Sequence, residues 1–329
     1  MARRLLSQLG HVEIITPRLE ESTRFMIDLM GLEESVRDGD SVYLRGWGEW
    51  LHHSVVLTAG DEPAIGHIGW RTEGPEELDL AVERLEASGL GEGWVGPTIG
   101  HGRAYRFRNP AGHLEEVYWE AERWHAPPEL RSTFPNRPQA RSARGVAARQ
   151  LDHVTVLAAD VLELANWKCE TLGHRFMEWT EAEEVELPVF ALVSTNEKVH
   201  DMGIVIDAEG GRGRAHHVAF WLDEPAEVHR AAEVLMEAGV TIEYGPSRHG
   251  MGENTFLYFR EPGGARIEVF SGGYRNYVAD WEPIKWKPSE GSSDMYRNNP
   301  MPDSMLEAFP AGTGERGNVG NPWALEGVN

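Results

Sequence analysis

The sequence has a single cysteine, Cys169, in 329 residues, so no internal disulfide can form and nothing ties the fold to an oxidising compartment. It has no excess of positive charge: 31 Lys and Arg stand against 53 Asp and Glu, a formal net charge of -22. Such a balance opposes phosphate backbones and anionic lipid, which excludes nucleic acid and membrane surfaces as expected partners. It has no apolar run of the ~18 residues needed to cross a bilayer, and the opening MARRLLSQLGHVEI is too polar for a secretory leader. The expected location is the cytoplasm. What is present is a globular composition, 41% hydrophobic and 26% charged, and length enough for about two domains of ~150 residues.

One phrase recurs along the chain: a short strand opening on His, a polar break, an amphipathic helix, then a glycine. The copies begin at His11, His67, His153 and His217 and close at Gly31, Gly89, Gly173 and Gly239, where left-handed helix caps are expected. In the third copy, Leu162, Ala165, Trp167, Cys169 and Leu172 are the expected buried face of the helix. Alternating or apolar runs follow each helix, among them SVYLRGW, SVVLTAG, AYRFRNP, FALVST, MGIVID, FLYFREP and ARIEVF, and these read as strands. Each unit is therefore strand, helix and about three more strands.

The expected fold class is α+β: four βαβββ modules paired into two domains, each a curled mixed sheet. Residues 1–120 form the first domain, a Pro- and Arg-rich linker fills 121–149, the second domain spans 150–273, and an irregular tail occupies 274–329. The tail carries Trp281, Trp286, Tyr296, Phe309 and Trp323. Disordered tails are poor in aromatics, so this one is expected to pack over the second domain.

His153, His217 and Glu268 stand at matching places of the repeat, and strand alternation puts His153 with Thr155, His217 with Ala219 and Glu268 with Phe270 on one face. His216 then points away. Two imidazoles and one carboxylate are the ligand set of oxygen-activating non-haem sites, because they leave about three adjacent positions open for substrate and dioxygen. Between them lie His200 in KVHD, His249 in GPSRHG and Tyr258 in FLYFREP, groups able to exchange protons and hydrogen bonds beside a metal-bound ligand.

With these residues the sequence resembles the type I extradiol catechol dioxygenases of the vicinal oxygen chelate (glyoxalase-like) superfamily. The likeness runs from roughly Leu9 to Tyr274 and rests on LDHVTV, KVHD, AHHVAFW, GPSRHG and ARIEVFSGGY; WGEWLHHSVVL and KVHD look most like the homoprotocatechuate 2,3-dioxygenase and 2,3-dihydroxybiphenyl 1,2-dioxygenase branch. The resemblance implies His153, His217 and Glu268 as metal ligands, with Fe(II) the first expectation and Mn(II) the second. It implies His200, His249 and Tyr258 as catalytic helpers, His200 toward dioxygen and the other two toward the deprotonated diol. The implied reactants are a small catechol and O2, in aromatic-compound degradation by a homo-oligomer, tetrameric as relatives are. The alternatives are a metal-dependent isomerase or epimerase, or a non-catalytic binding protein, of the same fold.

The duplication offers a rival site. His11, His67 and Glu116 are spaced by 56 and 49 residues, against 64 and 51 for His153, His217 and Glu268, with His52 and His101 near the places of His200 and His249. Arg106 occupies the place of Tyr258 and puts a permanent positive charge beside a would-be cation. On that ground, and because the resemblance implies a metal-free N-terminal domain, the first half is expected to carry no metal. Substrate class is read from three further positions. Where carboxylate-binding relatives are thought to carry arginines, this chain has Tyr244, Ser293 and Asp294, which favours a neutral diol, with Arg248 and Arg297 the remaining candidates for binding a carboxylate.

Overall fold

The computed structural model describes residues 3–296 and 301–311; Arg297 and Trp323 lie outside them. In the first half, β1 (Leu6–Thr16), α1 (Leu19–Arg24), β2 (Glu33–Asp38), β3 (Ser41–Arg45) and β4 (Val55–Ala59) make one βαβββ module. The next is β5 (Ala64–Thr72), α2 (Pro75–Ala87), β6 (Gly91–Val95), β7 (Ala104–Arg108) and β8 (Leu114–Tyr118). The second half repeats this as β9 (Gln150–Ala158), α3 (Val161–Leu172), β10 (Arg175–Ala182), β11 (Leu187–Ser194) and β12 (Met202–Ile206). Its last module is β13 (Ala215–Trp221), α4 (Pro225–Glu237), β14 (Ile242–Arg248), β15 (Asn254–Arg260) and β16 (Arg266–Gly272).

The strand order is β2-β3-β4-β1-β5-β8-β7-β6 in one sheet and β14-β15-β16-β13-β9-β12-β11-β10 in the other, where a short β17 (Ile284–Trp286) extends the edge. Every module pairs its first strand in parallel with its own last strand, as β1 with β4 and β13 with β16. Two modules join antiparallel through their first strands, β1 with β5 and β13 with β9. The strands that open on histidine thus lie at the centre of each sheet, beside the strands that carry the glutamates.

The four closing glycines all take the left-handed conformation, with φ of 76°, 72°, 75° and 81° at Gly31, Gly89, Gly173 and Gly239, a region that costs residues with a Cβ more than glycine. Two helices depart from expectation. The first copy forms only six α-helical residues before a π turn at Phe25–Leu29, which buries Phe25 and Met26 and sets Phe25 against Phe259 of the other half. In α3 the buried face is Val161, Leu164, Ala165, Lys168 and Leu172, while Leu162, Trp167 and Cys169 are only partly covered.

Lys168 explains the second departure. Its ammonium, fully buried, meets the Glu115 carboxylate of β8 in the first half, and Glu115 also accepts from Trp70 Nε1 (2.5 Å) and Asn109 Nδ2 (2.6 Å). A charged residue thereby occupies a core position of the helix and joins the two halves. Nearby, His113 Nε2 donates to the Arg214 carbonyl across the same junction at 2.7 Å.

The segment between the halves is irregular except for a 3-10 turn at Pro128–Leu130. It is pinned at its end, where Val146 and Ala148 donate to the carbonyls of Leu29 and Met30 and Trp47 Nε1 donates to Ala147. In the tail, Phe309 is buried and exchanges two backbone hydrogen bonds with Ala215. Trp281 and Trp286 donate to the Met177 carbonyl and the Glu178 carboxylate, whereas Tyr296 is exposed. No described helix is long and apolar enough to cross a membrane.

Candidate metal centre

Strand register assembles the second-half cluster. Ala219 pairs with His153 on one side and with Glu268 on the other, and Glu268 pairs with Tyr258, so one row crosses β9, β13, β16 and β15. His217, two residues before Ala219, shares its face. The result is that His153 Nε2 lies 3.1 Å from His217 Nε2 and 3.1 Å from Glu268 Oε2, which is 3.0 Å from His217 Nε2. All three residues are buried, and Glu268 Oε1 has no hydrogen-bond partner.

These atoms fit a divalent cation. Ligands at ~2.1 Å from a metal stand about 3.0 Å apart at octahedral angles, so three mutually adjacent donors cap one face and leave the other open. Both imidazoles are turned to offer a lone pair. His153 Nδ1 donates to Asp152 Oδ2 at 3.1 Å, which frees Nε2. His216 Nε2 donates to the Met305 carbonyl at 2.7 Å, so its Nδ1 accepts from His217 Nδ1, 2.6 Å away, and His217 Nε2 is freed in turn. A hydrogen-bonded outer nitrogen fixes ring orientation and raises ligand basicity in metal sites.

The electrostatics run the same way. Burial pushes the Glu268 carboxyl up, but the imidazoles of His153 and His217 set against it outweigh burial and hold the group well below the usual carboxylate range. Burial lowers His217 to about 4, with Glu268 opposing. At His153 burial also lowers the pKa, yet Asp152 and Glu268 together raise it above the ordinary value. The two carboxylates thus draw positive charge to this point, and a metal ion satisfies the same pull.

The other three predicted residues surround the triad. The His200 ring lies 4.1 Å from that of His153, centroid to centroid, and its Nδ1 has no partner. Burial, then the neighbouring His153, holds it well below the usual histidine range, so it is neutral near pH 7. His249 Nδ1 donates to the Ser293 carbonyl, which leaves Nε2 to accept from the Tyr258 hydroxyl at 3.0 Å. Burial and the Glu268 charge push the Tyr258 phenol well above 10, so it stays protonated. A cleft of about 400 Å³ lined by residues of both halves touches His200, Asp152 and Phe270 and none of the triad itself.

Sequence reasoning missed three participants. Asp152 was overlooked because alternation puts it on the opposite face from His153, although its carboxylate curls back to the ring. Lys198, in the KVHD phrase, bridges Asp152 (3.2 Å) and Asp201 (2.7 Å) and helps to hold Asp152 down at about 2 against burial. His216 does not simply point away: a bulge between Ala215 and His217 breaks the alternation, and its ring reaches the far side of His217.

The first half keeps the same register, with Gly69 pairing both His11 and Glu116, and Arg106 opposite Glu116 where Tyr258 opposes Glu268. His11 Nε2 is 2.9 Å from His67 Nε2 and 3.5 Å from Glu116 Oε1, and His67 Nε2 is 3.8 Å from that oxygen. It is the ring of His53, not of His52, that stands beside His11, at 5.3 Å.

The model of the Glyoxalase/Bleomycin resistance protein/Dioxygenase superfamily matches residues 8–117 and 150–269. The chain is 39% identical to a manganese-dependent 2,3-dihydroxybiphenyl 1,2-dioxygenase of Geobacillus genomosp. 3, over 87% of this chain and 91% of that protein. It is 35% identical to a metapyrocatechase of Geobacillus stearothermophilus, over 94% and 95% of the two chains. Among solved structures, the 2,3-dioxygenase LapB from Pseudomonas sp. KL28 superposes with a TM-score of 0.79 at 28% identity, over 87% of this chain and 99% of that one. A variant of homoprotocatechuate 2,3-dioxygenase from Brevibacterium fuscum gives 0.78 at 26%, over 91% and 81%.

Proposed function

The chain belongs to the Glyoxalase/Bleomycin resistance protein/Dioxygenase superfamily, and from that premise we propose that its second half is an extradiol catechol dioxygenase centre built on His153, His217 and Glu268. The protein inserts both atoms of O2 into a catechol ring beside the diol, as its relatives' names describe for them. The observation that carries the assignment of residues is the single row of donors across four strands, with His200 on one side and the His249–Tyr258 pair on the other. Fe(II) or Mn(II) suits the donor set. Held by His153, His217 and Glu268, such an ion would supply open adjacent positions and redox contact for a diol and dioxygen.

The chain's own residues handle protons and orientation. Because the Tyr258 hydrogen points at His249 Nε2, the phenol oxygen presents lone pairs to an incoming diol hydroxyl. As Tyr258 Oη accepts a diol proton it gives its original hydrogen to His249 Nε2, so the phenol ends neutral and the proton rests on the imidazole, whose Nδ1 stays fixed on the Ser293 carbonyl. Being neutral, His200 offers either an N–H or a lone pair beside the site where oxygen reacts, which is the requirement for donating a proton late in the cycle.

For substrate class, Tyr244 Oη lies 3.4 Å from Ser293 Oγ, and Asp294, buried, accepts from Ser247 at 2.7 Å. These residues stand beside His249 and present a carboxylate rather than a guanidinium. Arg248 meanwhile reaches Glu253 at 3.2 Å. An anionic side group on the catechol would find no guanidinium at Tyr244, Ser293 or Asp294, so we assign neutral diols: catechol, alkylcatechols or 2,3-dihydroxybiphenyl. Oxygen uptake with formation of a yellow product tests the activity. A kcat/KM for 2,3-dihydroxybiphenyl or 3-methylcatechol at least about tenfold above that for homoprotocatechuate, worth ~1.4 kcal/mol, is expected; the reverse order overturns the substrate assignment.

A further inference from the structure

The first half holds a second cluster that the reaction does not use, and its buried polar atoms are arranged for a ligand they do not find in the protein. Glu116 is 1% exposed; Arg106 Nε takes its Oε2 at 3.1 Å, and its Oε1 has no hydrogen-bond partner. That oxygen faces three imidazoles, His11, His67 and His101, whose Nε2 atoms lie 3.5, 3.8 and 3.2 Å away.

Outer hydrogen bonds decide what these nitrogens present. His67 Nδ1 must donate to the carboxylate of Glu13, 2.8 Å away, so its Nε2 is a lone pair. His101 Nδ1 must donate to the Gly102 carbonyl at 2.8 Å, so its Nε2 is also a lone pair, which accepts from the Thr98 hydroxyl and cannot donate to Glu116. The His67 lone pair and the unpartnered Glu116 oxygen therefore converge with one hydrogen, on His11, left to share among them. His11 is held over Gly69, where a Cβ would come within 2.2 Å of the ring. The backbone has been cleared to bring that imidazole in.

We propose that His11, His67 and Glu116 form a second binding site for a divalent transition-metal cation, structural rather than catalytic. The spacing differs from that of the second half in an informative way. Separations of 2.9, 3.5 and 3.8 Å among the three donors scatter about the ~3.4 Å expected for tetrahedral angles at a ~2.1 Å metal distance. Arg106 sets this site apart from the second half: it occupies the place of Tyr258 opposite the glutamate, so the Tyr258–His249 pair has no counterpart at that position. Its fixed charge also weakens cation binding relative to the second half. This reverses the sequence expectation of a metal-free first half, which weighed the charge of Arg106 but not the free oxygen on the other side of Glu116.

The test uses the full chain and Co(II) as the probe. Metal-free wild-type protein titrated with Co(II) is expected to bind about two equivalents, the weaker one giving the intense visible d–d bands of tetrahedral cobalt. The variant His153→Ala/His217→Ala is expected to keep only that weaker equivalent and its bands. Adding Glu116→Gln and His67→Ala should abolish both. Glu116→Gln alone, in an otherwise wild-type chain, should lower the stoichiometry from about two to about one while ring-cleaving turnover persists, which serves if the double variant fails to fold. A wild-type stoichiometry of one, or tetrahedral bands unchanged by Glu116→Gln with His67→Ala, overturns the proposal and leaves the catalytic assignment untouched.

Discussion

The Tyr258 hydroxyl and His249 Nε2 lie 3.0 Å apart, with the far nitrogen of the imidazole fixed on a backbone carbonyl. This makes the two residues one proton relay. Tyr258→Phe and His249→Ala are each expected to lower kcat by about 10²-fold or more. The double variant should be scarcely worse than either single one, because residues acting as a unit are not additive. Steady-state kinetics on catechol decides, and fully additive losses would separate the two roles.

His216 should matter for metal without touching it. Replacing it with Phe fills its buried place but removes the acceptor for His217 Nδ1, so the ligating tautomer loses its support. Loss of such an outer partner typically costs about 10–100-fold in metal affinity. Competition titration with Mn(II) is expected to show a weakening in that range with the thermal midpoint of the metal-free protein little changed; unaltered affinity would count against the relay from Met305 through His216 to His217.

Lys168→Met should be severe. It leaves the buried Glu115 carboxylate with two neutral donors and no ammonium, and breaking one partner of a buried pair typically costs about 3–5 kcal/mol. The combined Lys168→Met/Glu115→Gln chain should regain most of the loss. Urea unfolding of the three proteins measures it, and a benign single variant would mean that the pair adds little.

Stability should fall on mild acidification. Burial holds His174 well below the usual histidine range, with the Lys168 charge assisting, and burial also lowers His113. Between their depressed folded values and the ~6.5 of an unfolded histidine, the unfolded chain binds more protons, so stability rises with pH across that window and is lost as pH drops below about 6.5. The urea midpoint at pH 5.5 is therefore expected below that at pH 7.5, with a smaller difference in His174→Leu. A midpoint that rises on acidification would contradict the sign.

Much of this was legible before the structure. The glycine caps and the strands that open on histidine follow from one repeated phrase, because helix period, strand alternation and cap chemistry are local properties, and matching places in the repeat single out His153, His217 and Glu268 as candidates. What escaped is non-local. The edge strands β2 and β6, reading EESVRD and GEGWV, are largely polar or glycine-rich and lack an apolar face to betray them. Lys168 is not among the expected core positions of the helix, since the partner that lets it be buried lies 53 residues away in the first half. His216 was misplaced by a bulge that no spacing rule announces.

The Lys168–Glu115 contact also bears on how this protein can be recombined. The chain looks like two interchangeable cassettes joined at a linker, an invitation to shuffle first halves among relatives. Any donor lacking an acid at the place of Glu115 would bring a buried, uncompensated ammonium to the seam, so the two residues must be inherited together for a chimera to fold.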